Sequence, residues 1–92
     1  MQEKTIVNKI LKYLKNQDKC FAWKEHGGRY GSAGIPDIIC CYQGRFVAFE
    51  VKTPTGKLTK LQEIALRDIN IAEGVALKVR SLEEVENVLS EI

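Results

Sequence analysis

The segment from Gly34 to Lys52 constrains the fold of this chain more than any other stretch. It consists of two apolar runs separated by Gln43-Gly44, which is the only turn signal inside it. A two-residue loop at that point predicts a β-hairpin, because such loops join antiparallel strands in a defined register. The pairing then runs outward from the turn, one residue at a time, until Asp37 faces Glu50.

Two carboxylates and an ammonium group meet at the open end of this hairpin. The Cβ atoms of directly opposed residues lie about 4.5–5.5 Å apart, and Lys52, two residues beyond Glu50, shares their face. Adjacent carboxylates repel each other, and a divalent cation between Asp37 and Glu50 would remove that cost. Oxygen ligands favour Mg²⁺, Mn²⁺ or Ca²⁺ over zinc. The competing interpretation is an ion pair of Lys52 on a solvated strand end, and a three-residue loop or a bulge would separate the two carboxylates.

The composition sets limits on the class of protein. A chain of 92 residues predicts one domain, 1–92, and an apolar fraction of 45% with a charged fraction of 28% is typical of a soluble globular protein. We expect no membrane span and no signal peptide, and therefore a cytoplasmic protein. Three cysteines and one histidine argue against a disulfide framework and a structural zinc site. The net charge of +2 permits a nucleic-acid partner without indicating one.

Periodicity and capping signals predict the remaining elements. The expected order is a helix over about 2–16, a strand over 20–24, the hairpin, a helix that begins near Thr59 with a Thr59–Gln62 capping box and ends at Gly74, a strand over 75–79, and a helix that begins with a Ser81–Glu84 capping box. Both faces of the hairpin are apolar, so each face needs helices to cover it. The order predicts an α/β fold, an α-β-β-β-α-β-α sandwich around a small mixed sheet.

Further polar residues are candidates for the open end of the hairpin. Glu3 extends the apolar stripe of the first helix by one turn, although a carboxylate there also suits the helix dipole. Gln62 has a role as the capping-box partner of Thr59, yet its helix begins just after the strand that carries Glu50.

Other residues are candidates for nucleic-acid contact. The glycine-rich segment 26–34 is either an ordinary flexible connection or a substrate loop whose side chains bind phosphate or stack on a base. Its non-glycine candidates are His26, Arg29, Tyr30 and Ser32. Lys57 and Lys60 are candidates for backbone phosphate contacts, with solvated surface charge as the alternative.

The motifs together resemble a known family. Pro36-Asp37 followed by Glu50-Val51-Lys52 is similar to the signature of the PD-(D/E)XK nuclease superfamily. The surrounding residues narrow this resemblance to the VRR-NUC (virus-type replication-repair nuclease) family, specifically its compact stand-alone members from phages and bacteria. The residues that carry the narrower resemblance are Gly34-Ile35-Pro36-Asp37, Phe49-Glu50-Val51-Lys52-Thr53-Pro54, Gly56-Lys57-Leu58-Thr59 and Gln62.

This resemblance implies a restriction-endonuclease-like fold and a set of site residues. Asp37, Glu50, the Val51 carbonyl and Glu3 would hold Mg²⁺ or Mn²⁺. Lys52 would orient or deprotonate the attacking water, or stabilise charge on the phosphorane. Gln62 would then support Lys52 or the water.

The implied function is that of a metal-dependent, structure-selective DNA endonuclease, a homodimer that acts on branched DNA such as Holliday (four-way) junctions in DNA repair. Its place would be the cytoplasm of a bacterium or a phage-infected cell. Two alternatives stay open. One is a non-catalytic module of the same fold that binds branched DNA, and the other is a protein-interaction domain that uses the amphipathic helix over 82–89.

Overall fold

The computed structural model describes residues 2–26 and 34–92, and within them a four-stranded sheet is covered by helices on both faces. The elements are α1 (Glu3–Lys15), β1 (Cys20–Lys24), β2 (Ile38–Tyr42), β3 (Arg45–Val51), α2 (Lys60–Ile71), β4 (Val75–Val79) and α3 (Leu82–Ser90). The strand order is β1-β2-β3-β4, with antiparallel pairing between the first three strands and parallel pairing of β3 with β4. The predicted element order, mixed sheet and parallel crossover are confirmed.

The hairpin between β2 and β3 has the predicted two-residue turn. Gln43 and Gly44 have φ angles of 50° and 84°, the positive values of a type I′ turn, whose twist matches that of the flanking strands. Tyr42 pairs with Arg45, and the pairing continues to Ile38 opposite Phe49. The three-residue loop that would have separated the carboxylates is therefore excluded.

Side chains alternate between two cores because successive residues of a strand point to opposite faces. One core lies under α1 and α3, and its strand residues include Ile38, Cys40, Val47 and Phe49, all buried. The other core is smaller and lies under α2, with Ile39, Ala48, Leu66 and Ala76. The two faces predicted for the hairpin are thus confirmed.

The start of α2 follows its predicted capping box. The Thr59 hydroxyl accepts a hydrogen bond from the Gln62 N–H at 3.2 Å, and the Gln62 side-chain oxygen accepts one from the Thr59 N–H at 2.9 Å. These bonds satisfy two backbone donors that a helix N-terminus otherwise leaves without partners. The capping box fixes Gln62 in the first turn of α2.

The end of α2 differs from the prediction. The helix ends at Ile71, and the residue with left-handed backbone is Glu73, with φ of 71°, not Gly74. Gly74 is needed for space, since a Cβ there would lie 2.8 Å from Ile69 Cγ2 and 3.2 Å from Phe46 Cδ1. The prediction that Gly74 caps the helix was wrong because close packing, not backbone conformation, favours glycine at that position.

Candidate active site

The candidate site lies where β2 begins and β3 ends, on the face of the sheet that α2 covers. Asp37 immediately precedes β2, and the Glu25 N–H donates to the Asp37 carbonyl at 2.7 Å, which extends the pairing of β1 with β2 by one residue. Glu50 lies two residues beyond Ala48 and therefore shares its face. The strand register brings Asp37 and Glu50 together as predicted.

Asp37 is held against the end of β3. Its Oδ2 atom accepts a hydrogen bond from the Val51 N–H at 2.8 Å. The chain reaches this point through Gly34, where φ is 85° and where a Cβ would lie 2.5 Å from the Leu61 carbonyl oxygen in the first turn of α2. Only glycine allows the backbone to pass so close to α2, so Gly34 fixes the path of the chain that leads to Asp37.

Glu50 is the most constrained side chain of the site. It is only 2% exposed, and the one hydrogen bond to it from the described residues is a long one, from Gln62 Nε2 to Oε2 at 3.4 Å. Its other oxygen, Oε1, is buried without a hydrogen-bond partner among the described residues. A buried carboxylate oxygen without a donor is costly, and such an exception calls for an explanation.

The electrostatics of Glu50 follow from this burial. The pKa of Glu50 is raised from 4.5 to about 8, chiefly by desolvation and then by the neighbouring Asp37 carboxylate. Lys52 opposes the shift, whereas the negative charge of Glu3 adds to it. In the absence of a cation, Glu50 therefore carries a proton at neutral pH.

Lys52 extends along the same face as Glu50 and is 13% exposed. Its Nζ atom lies 3.9 Å from Glu50 Oε2, which is the long limit for an ion pair. The Lys52 N–H donates to the Val79 carbonyl at 3.0 Å, so its backbone is fixed by the parallel pairing with β4. A rigid backbone and a loosely paired ammonium group leave Lys52 able to contact an anion that enters the site.

A turn over residues 53–56 joins β3 to α2 and is held by a residue that the sequence analysis missed. Arg80 Nη1 donates to the Gly56 carbonyl at 2.9 Å and also to the carbonyl of Thr53. The Arg80 N–H in turn donates to Glu84 Oε1 at 2.8 Å, at the start of α3. Arg80 thus fixes the turn that follows Lys52, although no local sequence signal links residues so far apart in the chain.

The other predicted site residues have different outcomes. Glu3 is exposed at the start of α1, and no group of three or more histidine, cysteine or acidic side chains within 2–26 and 34–92 has metal-binding spacing. Lys57 and Lys60 are exposed near the first turn of α2. His26 is exposed just after β1. The remaining candidates, Arg29, Tyr30 and Ser32, lie outside the described residues.

The donor set fits a hard divalent cation. Asp37 and Glu50 supply carboxylate oxygens, and the buried Oε1 atom of Glu50 has no other partner among the described residues. A cation there would replace the proton that burial and the adjacent carboxylate now favour, and oxygen donors are those that Mg²⁺ and Mn²⁺ prefer. The geometry therefore admits a metal between the two strands.

Comparison with known proteins identifies the fold. No protein-family model and no curated protein matches the sequence. A solved structure described as a VRR_NUC domain protein aligns over 99% of this chain and 87% of its own, with a TM-score of 0.77 and 17% identity. A second solved structure, described as a VRR_NUC domain, aligns over 96% of this chain and 94% of its own, with a TM-score of 0.79 and 17% identity. The chain has the VRR-NUC fold, and the resemblance seen in its motifs is confirmed at the level of the fold.

One further finding concerns membranes. Across residues 2–26 and 34–92, no helix combines the length and the apolar character that a membrane span requires.

Proposed function

We propose that this chain is a metal-dependent, structure-selective DNA endonuclease of the VRR-NUC type, which hydrolyses phosphodiester bonds. One observation carries the proposal. The VRR-NUC fold brings Asp37 beside a buried Glu50 with an unpartnered oxygen, and Lys52 extends along the same face. Among the described residues, nothing else in the core accounts for a buried carboxylate at this position.

Asp37, Glu50 and the Val51 carbonyl would hold Mg²⁺ or Mn²⁺, and Glu3 would complete or tune the site. The bound cation supplies a water of lowered pKa and polarises the phosphate. Asp37 is already oriented by the Val51 N–H, and strands hold the carboxylates more rigidly than loops would. The site would therefore need little rearrangement to bind the cation.

Lys52 has the chemistry for two tasks. Its ammonium group is a compact positive charge that stabilises negative charge as it builds on the phosphate. Its pKa also responds to its surroundings, so it can orient or deprotonate the attacking water. Gln62 donates to Glu50 and so positions the carboxylate that lies beside Lys52.

DNA is the proposed substrate, with branched DNA such as four-way junctions as the preferred form. Lys57, Lys60 and Arg29 would contact backbone phosphates, and Tyr30 and Ser32 would assist from the same glycine-rich segment. We further propose that two copies pair, because a chain this short buries a modest share of its surface, and that the enzyme acts in the cytoplasm of a bacterium or phage-infected cell.

Cleavage of labelled DNA tests this function. Duplex, single-stranded, flap and four-way-junction DNA would each be incubated with Mg²⁺, Mn²⁺ or EDTA. We expect cleavage with either metal, none with EDTA, and none by Asp37→Asn, because the amide removes the charge that binds the cation. Asp18→Asn is the matched control, since Asp18 is exposed in the turn after α1.

Two results would contradict the proposal. Wild-type cleavage by Asp37→Asn would show that the site is misassigned. Tight junction binding without cleavage of any substrate would favour the non-catalytic DNA-binding module.

A further inference from the structure

Two aromatic rings of β1 are exposed on the face of the sheet that carries the candidate site. Phe21 is 72% exposed and Trp23 is 40% exposed. Phe21 pairs with Cys41, and Trp23 pairs with Ile39, which lies in the core under α2. Directly opposed residues share a face, so both rings lie on the α2 side of the sheet, beside the strands that α2 covers.

The rings are adjacent and one of them is tethered. Their centroids are 5.8 Å apart, and their planes are inclined by 49°. Trp23 Nε1 donates a hydrogen bond to Glu25 Oε2 at 3.1 Å. This bond limits rotation of the indole and leaves its π-face, not its N–H, available to a partner.

The rings lie close to the candidate active site. Trp23 is opposite Ile39, and Asp37 is two residues from Ile39 on the same face. Two residues of a strand span about 7 Å. A polynucleotide with a phosphate at Asp37 and Glu50 therefore passes within reach of Trp23.

Charge around the site distinguishes its two sides. Lys52 and Lys57 follow β3 and Lys60 begins α2, whereas Phe21 and Trp23 lie on β1, with the Glu25 carboxylate beside Trp23. A partner that contacts both the lysines and the aromatic rings carries anionic groups next to flat rings. Single-stranded nucleic acid has this chemistry, and its unpaired bases stack on exposed aromatic side chains.

We propose that Phe21 and Trp23 form a stacking platform, next to the carboxylates, for bases that are unpaired or become unpaired where the strands of branched DNA separate. Bases inside a duplex have their faces covered by neighbouring base pairs and cannot stack on these rings. The link to cleavage rests on the proposed function, whereas the binding itself does not.

A second copy of the chain is a less suitable occupant of this surface. An apolar protein interface over Trp23 would also bury the Glu25 carboxylate, whose one hydrogen bond from the described residues is that of the indole. Burial of a charge with a single neutral donor is costly. A nucleic-acid strand can stack on the rings and leave Glu25 in water.

Trp23 is the only tryptophan of the chain, so its fluorescence reports on the platform alone. The test titrates the full-length protein, in EDTA to prevent cleavage, with a single-stranded oligonucleotide and with the blunt duplex of the same sequence. We expect strong quenching of Trp23 emission by the single strand, and little by the duplex at the same nucleotide concentration.

Binding by variants is then measured from the anisotropy of a labelled single strand. Phe21→Ala and Trp23→Ala should each raise the Kd about 5- to 150-fold, since base stacking contributes ~1–3 kcal/mol per base. Trp23→Phe should restore most of the affinity because it retains a ring. Ile71→Ala is the matched control, since Ile71 is also 72% exposed but lies at the far end of α2, and its Kd should equal that of the wild type.

The outcomes separate this proposal from the proposed nuclease. Equal quenching by single strand and duplex, or unchanged Kd values in Phe21→Ala and Trp23→Ala, would overturn the platform. So would a wild-type dimer that becomes monomeric in Phe21→Ala, because a second copy would then cover the rings. Quenching by the single strand in a protein that cleaves no DNA would support the platform and contradict the nuclease, and cleavage without quenching would do the reverse.

Discussion

Glu50 is the residue on which the proposed chemistry of this site depends. It is buried on strand β3 beside Asp37, and one of its oxygens has no hydrogen-bond partner among the described residues. Its pKa is raised to about 8 chiefly by burial, so a proton occupies the carboxylate at neutral pH when no cation is bound. A cation and this proton compete for the same oxygens, which makes cation binding stronger as the pH rises.

The raised pKa predicts how stability changes with pH in the cation-free protein. The ordinary pKa of the Glu50 carboxyl is 4.5, so between that pH and about 8 the unfolded state loses its proton while the folded state retains it. The folded state then binds more protons than the unfolded state, so the free energy of unfolding of the wild type falls as the pH rises through this window. Glu50→Gln has no carboxyl group at this position and does not show this fall. In EDTA, we expect nearly equal Tm values at pH 4 and a Tm several degrees higher for Glu50→Gln at pH 8.

Thermal unfolding monitored by circular dichroism measures this difference. Addition of Mg²⁺ at pH 8 serves as the control, since it should raise the Tm of the wild type and leave that of Glu50→Gln unchanged. A gap between the two proteins that stays constant from pH 4 to pH 8 would show that Glu50 does not titrate in this window.

The turn between β3 and α2 is the element that depends on a distant residue. Arg80 donates to the carbonyls of Thr53 and Gly56, and the turn leads from Lys52 to the exposed Lys57. Both bonds come from one nitrogen, Nη1, which lies one bond farther from the backbone than the Nζ atom of a lysine would, so lysine is too short to make the same contacts. Arg80 thus links the end of β4 to the backbone next to the candidate site.

Loss of Arg80 should loosen this turn without unfolding the domain. We expect Arg80→Lys to increase amide hydrogen exchange at residues 53–57 at least several-fold, and to leave exchange in β2 unchanged. The expected loss of unfolding free energy is about 1–3 kcal/mol, the usual range for hydrogen bonds made by a charged donor. Lys78→Arg is a suitable control because it keeps a cation on β4, and protection of the turn equal to that of the wild type in Arg80→Lys would contradict this role.

Elements and register were predictable where local signals agree with the fold. The Gln43-Gly44 turn and the alternation of the flanking strands specify which residues face each other, so Asp37 and Glu50 were paired from the sequence. Arg80 and the role of Gly74 were not predictable, because each depends on contacts between separate elements. The exposure of Trp23 depends on β1 being the edge strand, which the sheet order decides and the strand sequence does not.

The whole molecule combines a rigid sheet with incomplete cover. Helices α1 and α3 cover one face, whereas α2 covers only part of the other and leaves the β1 rings exposed among the described residues. The candidate site lies at the boundary between the covered and the open part of that face. This arrangement leaves the half-buried Asp37 and the buried Glu50 beside an open part of the sheet, as the proposed DNA substrate requires.

The role of Lys52 can be measured in single-turnover cleavage of a four-way junction, with the wild type and Lys52→Ala each at saturating concentration in Mg²⁺ or Mn²⁺. We expect a cleavage rate for Lys52→Ala that is lower by at least about 10²-fold, as for other groups that stabilise charge in the transition state. The fold and the junction affinity of the variant should stay close to those of the wild type. Cleavage by Lys52→Ala at the wild-type rate would contradict the proposed mechanism, because Lys52 would then have no part in the chemistry.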